Sequence, residues 1–249
     1  MHNLLQGIFL KNIFKSLEKK DYICYNLIYK EFVMNIQMAG IRNAKDALMC
    51  VDCGVNIIGL LVGQAHTSDD FISKELAKEI KLSLPKHIKT TLITHLETAQ
   101  DVIEIASFVD VDYIQLHSHL PESEVELIRK ALPEKKLLRL VHIDTDGTIL
   151  TDLSKIKYAD FYFTDSINKK TNQVGGTGLK HNIDTDKKLV ATLDKPVFIA
   201  GGLTPENVAE AIKHCKPYGV DVNTGCRAKD GSRDRQKVLK FVQNAQSAE

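Results

Sequence analysis

The chain has almost no excess of charge of either sign. Its 249 residues contain 33 Lys and Arg against 32 Asp and Glu, which gives a formal net charge of +1. Such a balance creates no long-range field that would attract nucleic acid or an anionic membrane surface. We therefore expect neither a nucleic acid nor a stably associated membrane among the partners, and binding has to arise from local sites.

Cysteine is scarce and odd in number, and no secretory signal pattern is present, which argues against a disulfide framework and favours the cytoplasm. The five are Cys24, Cys50, Cys53, Cys215 and Cys226. Cys50 and Cys53 form a C-x-x-C, but they share one face of the amphipathic segment from Ala44 to Gly54. Without a second pair at zinc-site spacing, we predict a buried, inert pair, with a redox or metal role as the alternative.

No apolar run is long enough to cross a bilayer, which needs about 20 mainly apolar residues. Residues 1–33 mix apolar side chains with lysines throughout. Three interpretations compete: a surface helix, a weak membrane-surface or targeting helix, and a segment upstream of an alternative start at Met34. We expect 1–33 to be an N-terminal extension of uncertain order and 34–249 to be one folded domain.

From Met34 onward, short runs rich in Val and Ile alternate with segments of helical period, which predicts repeated βα units. Helix starts are indicated at Ser73-Lys74, Pro121-Glu122 and Thr204-Pro205, and the fifth unit is the weakest. Eight strands and about 250 residues favour a single (β/α)8 TIM barrel of the α/β class over a doubly wound open sheet. The predicted strands are Asn35 to Ala39, Asn56 to Val62, Lys89 to Thr94, Tyr113 to His117, Leu137 to Ile143, Phe161 to Thr164, Val197 to Ala200 and Val220 to Asn223.

Glycines follow the sixth, seventh and eighth predicted strands. In a TIM barrel these loops lie at the C-terminal ends of the strands, where active sites are built. Closely approaching backbone N–H groups can hold a phosphate dianion there. The sequence therefore predicts a phosphate site that includes Gly176, Gly178, Gly201, Gly202, Thr224 and Gly225.

Several stretches in these units are specific enough to suggest a family. They are Ala39-Gly40-Ile41-Arg42, Gln115-Leu116-His117, Thr164-Asp165-Ser166 followed by Gly175-Gly176-Thr177-Gly178, Ala200-Gly201-Gly202-Leu203-Thr204-Pro205-Glu206-Asn207-Val208, and Val220-Asp221-Val222-Asn223-Thr224-Gly225 with Gly231 and Arg233-Asp234. Over nearly all of Asn35 to Gln246 the chain resembles phosphoribosylanthranilate isomerases of tryptophan biosynthesis. The resemblance implies an Amadori rearrangement, an aldose-to-ketose isomerisation of a phosphoribosylated arylamine, without metal or organic cofactor. We expect a monomer or a homodimer.

The resemblance implies that Asp165 is the general acid that opens the furanose ring. The family's base is a cysteine after the first strand, where this chain has Ala39, and alanine cannot accept a proton. The family also has an arginine after the second strand that faces the anthranilate carboxylate. This chain reads Ser68-Asp69-Asp70 instead, with no Arg or Lys between Gly63 and Ser73. We therefore expect a phosphosugar ligand, and the sequence does not determine the chemical group at its other end. The alternative function is a phosphosugar-binding barrel with different or no catalysis.

Histidine and aspartate side chains at strand ends are candidates to replace the base. His117 could act near neutral pH or only hydrogen-bond its neighbours. Asp69 or Asp70 could act as a base or bind a cationic group or a metal, with a solvated or helix-capping aspartate as the alternative. Ala39, Gln115, Asp69 and Asn223 are the predicted substrate pocket.

Other polar residues near the strand ends have simpler interpretations. His95 and His142 could meet Asp69, Asp70 and Asp144 around a divalent ion, but we predict no metal site. Asp144-Thr145-Asp146-Gly147 reads as a turn. Cys226 reads as packing, with a pKa lowered by helix dipoles as the alternative.

Overall fold

The computed structural model describes residues 34–63, 69–168, 173–174 and 183–248. Within these ranges no helix is both long and apolar enough to cross a membrane. Nine strands are present: β1 (Asn35–Met38), β2 (Ile57–Leu61), β3 (Lys89–Thr94), β4 (Tyr113–Leu116), β5 (Lys136–Asp144), β6 (Phe161–Asn168), β7 (Gln173–Val174), β8 (Val197–Ile199) and β9 (Gly219–Val222).

Eight of these strands form a closed parallel barrel. The order runs β5-β4-β3-β2-β1-β9-β8-β6, and a β5–β6 ladder closes the ring. Strand β7 is a short antiparallel addition to β6. The predicted (β/α)8 architecture is thus confirmed, and the open-sheet alternative is wrong because no barrel strand is left with a free edge among the residues described. The barrel's seventh and eighth strands are β8 and β9.

Helices follow most of the strands and pack outside the barrel. They are α1 (Ala44–Asp52), α2 (Lys74–Ser83), α3 (Ala99–Val109), α4 (Glu122–Ala131), α5 (Ile183–Thr192), α6 (Val208–Cys215) and α7 (Arg235–Gln246). The predicted starts of α2 and α4 are confirmed, and the Ser73 side chain accepts a hydrogen bond from the Leu76 N–H at 3.1 Å. The weak fifth unit has only a 3-10 turn, Leu153–Lys155, in place of a helix.

Two predicted boundaries differ from the structure by more than one residue, for identifiable reasons. Helix α6 begins at Val208, because the Asn207 side chain accepts from the Thr204 N–H at 2.7 Å and closes a separate turn over Thr204-Pro205. Strand β6 continues four residues past Thr164, because β5 extends equally far and pairs with it up to Asp144. Asp165 consequently lies within a strand rather than in the loop after it.

Alternation along the strands separates two apolar layers. One layer packs between the strands and the surrounding helices, and it includes both thiols of the C-x-x-C. The prediction that the pair is buried is confirmed. Burial raises the pKa of Cys50 to about 12 and also raises the pKa of Cys53, and the inertness of the pair stays a prediction. The second layer fills the barrel interior with Ile57, Leu138, Leu140, Phe163, Phe198 and Ala200.

Candidate active site at the barrel mouth

The polar residues of the site continue the inward-facing rows above this interior layer. Side chains two residues apart on a strand face the same side. Asp165 follows the interior Phe163 on β6, and Asp221 follows Gly219 on β9, where an added Cβ would touch the interior Phe198 ring. Both carboxyl groups therefore point into the barrel, near its C-terminal end.

A chain of hydrogen bonds crosses the barrel below the mouth. The Thr91 hydroxyl donates to Gln37 Oε1 at 2.6 Å, and Gln37 Nε2 donates to Gln115 Oε1 at 2.9 Å. The Gln115 amide then lies 2.6 Å from His117 Nε2. Because the Gln115 oxygen is already an acceptor, its NH₂ group faces the ring, and a neutral His117 accepts at Nε2. The network fixes Gln37 and Gln115 rigidly at the floor of the pocket.

This arrangement argues against the predicted role of His117 as a base. Burial, with smaller contributions from His95 and His142, lowers the pKa of His117 to about 3. A group with so low a pKa is a weak proton acceptor near neutral pH, and its Nε2 atom is engaged by Gln115. His117 thus fits a role in positioning the pocket floor.

Asp165 occupies the position expected of the general acid. Its side chain is buried, and Oδ1 accepts a hydrogen bond from the Ser166 N–H at 2.7 Å. The Cα atoms of His142 and Asp165 are partners in the β5–β6 ladder, so strand pairing as well as this local bond fixes the carboxyl group. The position of Asp165 is therefore well defined in the pocket wall.

Asp221 is a second buried carboxyl group, which sequence reasoning did not single out as a site residue. It is 8% exposed, and its Oδ1 atom has no hydrogen-bond partner within the described part of the chain. Burial raises the pKa of Asp221 to about 7, the nearby Gln37 amide opposes this shift, the Asp165 charge adds to it, and the Arg233 charge opposes it. A carboxyl group of this kind can exchange protons near neutral pH.

Arg233 lies between β1 and β9 and ties their ends together. The residue is 6% exposed, and its guanidinium group donates to the carbonyl oxygens of Ala39, Gly40 and Asn223. It also reaches Asn223 Oδ1 at 2.8 Å. Gly40 has φ of +69°, and an added Cβ there would lie 2.9 Å from this guanidinium group. Glycine at position 40 therefore allows the cation to approach the backbone.

The acidic loop after β2 is neutralised by a cation from elsewhere in the sequence. Asp70 forms an ion pair with Arg227 and accepts from the Asn223 side chain at 2.9 Å. Asn223 Oδ1 in turn accepts from Arg227 Nη2 at 2.7 Å. The inference of a reversed charge at this edge was incomplete, because Arg227 supplies the positive charge from the loop after β9. The ion pair with Arg227 also makes Asp70 a poor candidate for the base.

The other predicted pocket residues differ in their environment. Ala39 is buried at the end of β1, beside Gly59 of β2, and carries only a methyl group. Asp69 is exposed, and its carbonyl oxygen lies 3.5 Å from Arg42 Nη1. The structure thus brings Ala39, Gln115 and Asn223 to the mouth and leaves the Asp69 side chain in solvent.

The predicted phosphate loops after β8 and β9 pack against each other. Gly201 and Gly202 have φ of +87° and +68°, a region that side-chain-bearing residues rarely adopt. An added Cβ on Gly225 would lie 2.1 Å from the Leu203 carbonyl oxygen, so only glycine fits there. Gly176 and Gly178 lie outside the described ranges.

Several histidines line the β3–β5 side of the mouth. The His95 and His117 ring centroids are 5.3 Å apart, and those of His119 and His142 are 5.5 Å apart. Burial, and then the His119 charge, lowers the pKa of His142 to about 4. In the portion of the chain that the structure describes, no group of three His, Cys, Asp or Glu residues is arranged to hold a metal ion.

Two minor predictions at strand ends are confirmed. Asp144 to Gly147 forms a turn in which the Thr148 N–H donates to Asp146 Oδ1 at 2.8 Å. Cys226 is fully buried, and burial raises the pKa of its thiol to about 12, so it serves packing. The alternative of a lowered pKa at Cys226 is wrong, because burial outweighs the opposing Arg233 charge.

Comparisons with known proteins agree with this architecture. The family model described as N-(5'phosphoribosyl)anthranilate (PRA) isomerase matches residues 36–244. N-(5'-phosphoribosyl)anthranilate isomerase 2 of Methanosarcina mazei is 37% identical over 214 residues, which span 86% of this chain and 95% of that protein. The crystal structure of phosphoribosyl anthranilate isomerase from Thermotoga maritima is 25% identical, with a TM-score of 0.74 over 86% of this chain and 99% of that one.

A further solved structure shows the same fold with a ligand. It is a phosphoribosyl anthranilate isomerase in complex with reduced 1-(o-carboxyphenylamino)-1-deoxyribulose 5-phosphate. Its identity to this chain is 24%, and its TM-score is 0.66 over 86% of this chain and 99% of that one.

Proposed function

We propose that this chain, which belongs to the N-(5'-phosphoribosyl)anthranilate isomerase family, isomerises N-(5'-phosphoribosyl)anthranilate in tryptophan biosynthesis. The reaction is an Amadori rearrangement that converts the aldose derivative into 1-(o-carboxyphenylamino)-1-deoxyribulose 5-phosphate. It needs one group that gives a proton to the ring oxygen and one that takes a proton from carbon 2. The buried Asp165 carboxyl group at the mouth is the observation that carries this proposal.

Three parts of the substrate are each assigned to their own residues. The backbone of Gly201, Gly202, Thr224 and Gly225 binds the phosphate, and helix α6 begins shortly after the first of these loops. Asp165 protonates the ring oxygen as the bond from that oxygen to carbon 1 breaks. The anthranilate carboxylate is assigned to Arg227, whose guanidinium lies where a cation is otherwise missing after β2. The pairing with Asp70 holds that guanidinium in place.

We also propose that the enzyme acts in the cytoplasm. Cys50, Cys53, Cys215 and Cys226 are buried and form no disulfide with one another. Reduced cysteines suit a reducing compartment.

Fluorescence of freshly made substrate provides the test. Purified protein should remove the phosphoribosylanthranilate signal faster than the spontaneous rate, and Asp165→Asn should lower kcat by about 10²- to 10⁴-fold, the usual contribution of acid catalysis. Asp112→Asn is a matched control, because Asp112 binds Lys81 and Lys89 near the starts of β3 and β4, away from the mouth. A wild-type rate equal to background would contradict the proposal.

The methyl group of Ala39 favours a second candidate, a phosphosugar-binding barrel with different or no catalysis. In that case the reduced product analogue should raise the melting temperature, as any ligand of the native state does. The substrate should nevertheless persist at the spontaneous rate. Binding with turnover supports the isomerase, and binding without turnover supports the second candidate.

A further inference from the structure

The position of Ala39 defines where a substitute base has to lie. Strand β1 pairs with β2 on one side and β9 on the other. The inward-facing residues of β2 are Ile57, Gly59 and Leu61, which cannot accept a proton. On β9, Asp221 is the Cα partner of Gln37, and the Ala39 N–H donates to the next residue, Val222, at 3.0 Å. Asp221 is thus the proton acceptor nearest along the sheet to the methyl group at position 39.

The Asp221 side chain has an unusual environment for a buried carboxyl group. A carboxyl group buried to this degree normally has both oxygens hydrogen-bonded, yet Oδ1 has no partner among the residues described. Gln37, the neutral neighbour on β1, is itself held by Thr91 and Gln115. The charged groups that face Asp221 are Asp165 on β6 and Arg233 before α7. The Asp221 carboxyl group is therefore influenced by a fixed amide, a cation and the acid.

Other candidates for the base are less well placed. His117 Nε2 is engaged by Gln115, and Asp70 is paired with Arg227. His142 is the Cα partner of Asp165 in the β5–β6 ladder, so it lies beside the acid and not beside Ala39. Asp221 and Asp165 instead stand on different strands with β8 between them, so that a sugar bound across the mouth can contact both.

We infer that Asp221 is the general base of this isomerase and takes over the role that Ala39 cannot perform. The inference rests on the proposed function and adds a catalytic residue to it. The raised pKa of Asp221, about 7, suits this role, because a base is most effective when its pKa lies near the working pH. Arg233 is then a positioning residue, which stabilises the charged form of Asp221 and holds the end of β1.

The proton transfers balance without any co-reactant. The two carboxyl groups share one proton, which lies on Asp165 in the reactive form. The ring oxygen takes this proton as its bond to carbon 1 breaks, and the nitrogen lone pair forms a cationic imine with carbon 1. The Asp221 carboxylate removes the proton from carbon 2, the C–H electron pair forms a double bond between carbons 1 and 2, and the imine electrons return to nitrogen. The hydroxyl proton on carbon 2 then returns to Asp165, while carbon 1 receives the proton held by Asp221. Both aspartates regain their starting states.

Three variants and the wild type test the assignment: Asp221→Asn, the double variant Asp221→Asn with Ala39→Cys, and the control Asp112→Asn. The loss of a base should lower kcat by about 10²- to 10⁴-fold with little change in KM, and the reduced product analogue should still raise the melting temperature. The thiol introduced at position 39 should recover at least about tenfold of the lost rate, a part of what a base contributes. Asp112→Asn should keep the wild-type kcat.

The pH profile separates a catalytic role from a structural one. The wild-type kcat should fall as the pH rises through about 7, because the Asp165 and Asp221 pair then loses the proton that Asp165 donates. In the double variant kcat should instead rise with pH towards the ordinary thiol pKa of about 8.5, as the base at position 39 ionises. Wild-type turnover with an undiminished Asp221→Asn, or a slow Asp221→Asn that the added Ala39→Cys substitution fails to rescue, would overturn the role of Asp221 alone. A wild type without turnover would overturn the proposed function as well.

Discussion

Asp221 should destabilise the folded protein above neutral pH, and its replacement by Asn should remove that cost. The ordinary pKa of the group is 3.8, and burial raises it to about 7 in the folded state. Below pH 3.8 the carboxyl group is protonated in both states, so it costs no stability. As the pH rises towards 7, only the unfolded state ionises, and stability is lost. Above about pH 7 the loss is complete, at roughly 4 kcal/mol for a shift of about three pKa units.

Urea unfolding of wild type and Asp221→Asn between about pH 5 and pH 8 measures this effect. The stability gain of the variant should be about 3 kcal/mol larger at pH 8 than at pH 5, because that part of the linkage falls within this window. Asp112→Asn should have the opposite effect and lower the free energy of unfolding. Burial raises the pKa of Asp112, but the hydrogen bonds from Lys81, Lys89 and the Thr90 N–H and the Lys81 charge together outweigh burial and hold the pKa at about 2. The stabilising effect of Asp112 is therefore already complete at pH 5.

The reasoning would be refuted by an Asp221→Asn variant that is no more stable than wild type at pH 8, or whose gain does not depend on pH. Either result would mean that Asp221 is solvated or paired. A stabilised but slow variant would instead fit an active-site group retained for catalysis at the expense of stability.

Two further predictions concern the surroundings of the aspartates. Arg227→Met should raise KM about tenfold or more while kcat changes less, since tenfold corresponds to about 1.4 kcal/mol of binding. In steady-state kinetics, a tenfold loss in kcat with an unchanged KM would contradict the assignment of Arg227 to the substrate carboxylate. His117→Asn should leave the shape of the pH–rate profile unchanged between pH 5 and 8, because His117, with a pKa of about 3, is neutral throughout this range. If the variant lost the change in rate near pH 7, His117 would be the titrating group.

Local patterns were sufficient to predict the barrel. Most strands are short apolar runs that contain Val, Ile or Thr and are followed by a turn or a helix cap, such as Ser73 before α2, and these signals lie close together in sequence. The boundary of β6 was missed because its last residues are held by β5 rather than by their own propensity. Pairing between strands overrides local preference in this way.

The site was predicted less completely than the fold. The glycine loops and Asp165 could be found because they occur at strand ends, within recognisable motifs. Arg227 was not matched to Asp70, because the two lie far apart in the sequence and only the closure of β9 against β1 brings their loops together. Asp221 was overlooked because it lies inside a strand between Val220 and Val222, where a buried residue is usually part of the packing.

Isomerisation in deuterium oxide, followed by NMR, tests the central claim most directly. The wild type should convert phosphoribosylanthranilate to 1-(o-carboxyphenylamino)-1-deoxyribulose 5-phosphate with solvent deuterium at carbon 1, because the proton taken by Asp221 exchanges before it is returned. Asp165→Asn and Asp221→Asn should each form this product at least about 10²-fold more slowly. Product formation no faster than in an enzyme-free sample, or equal rates for all three proteins, would contradict the account.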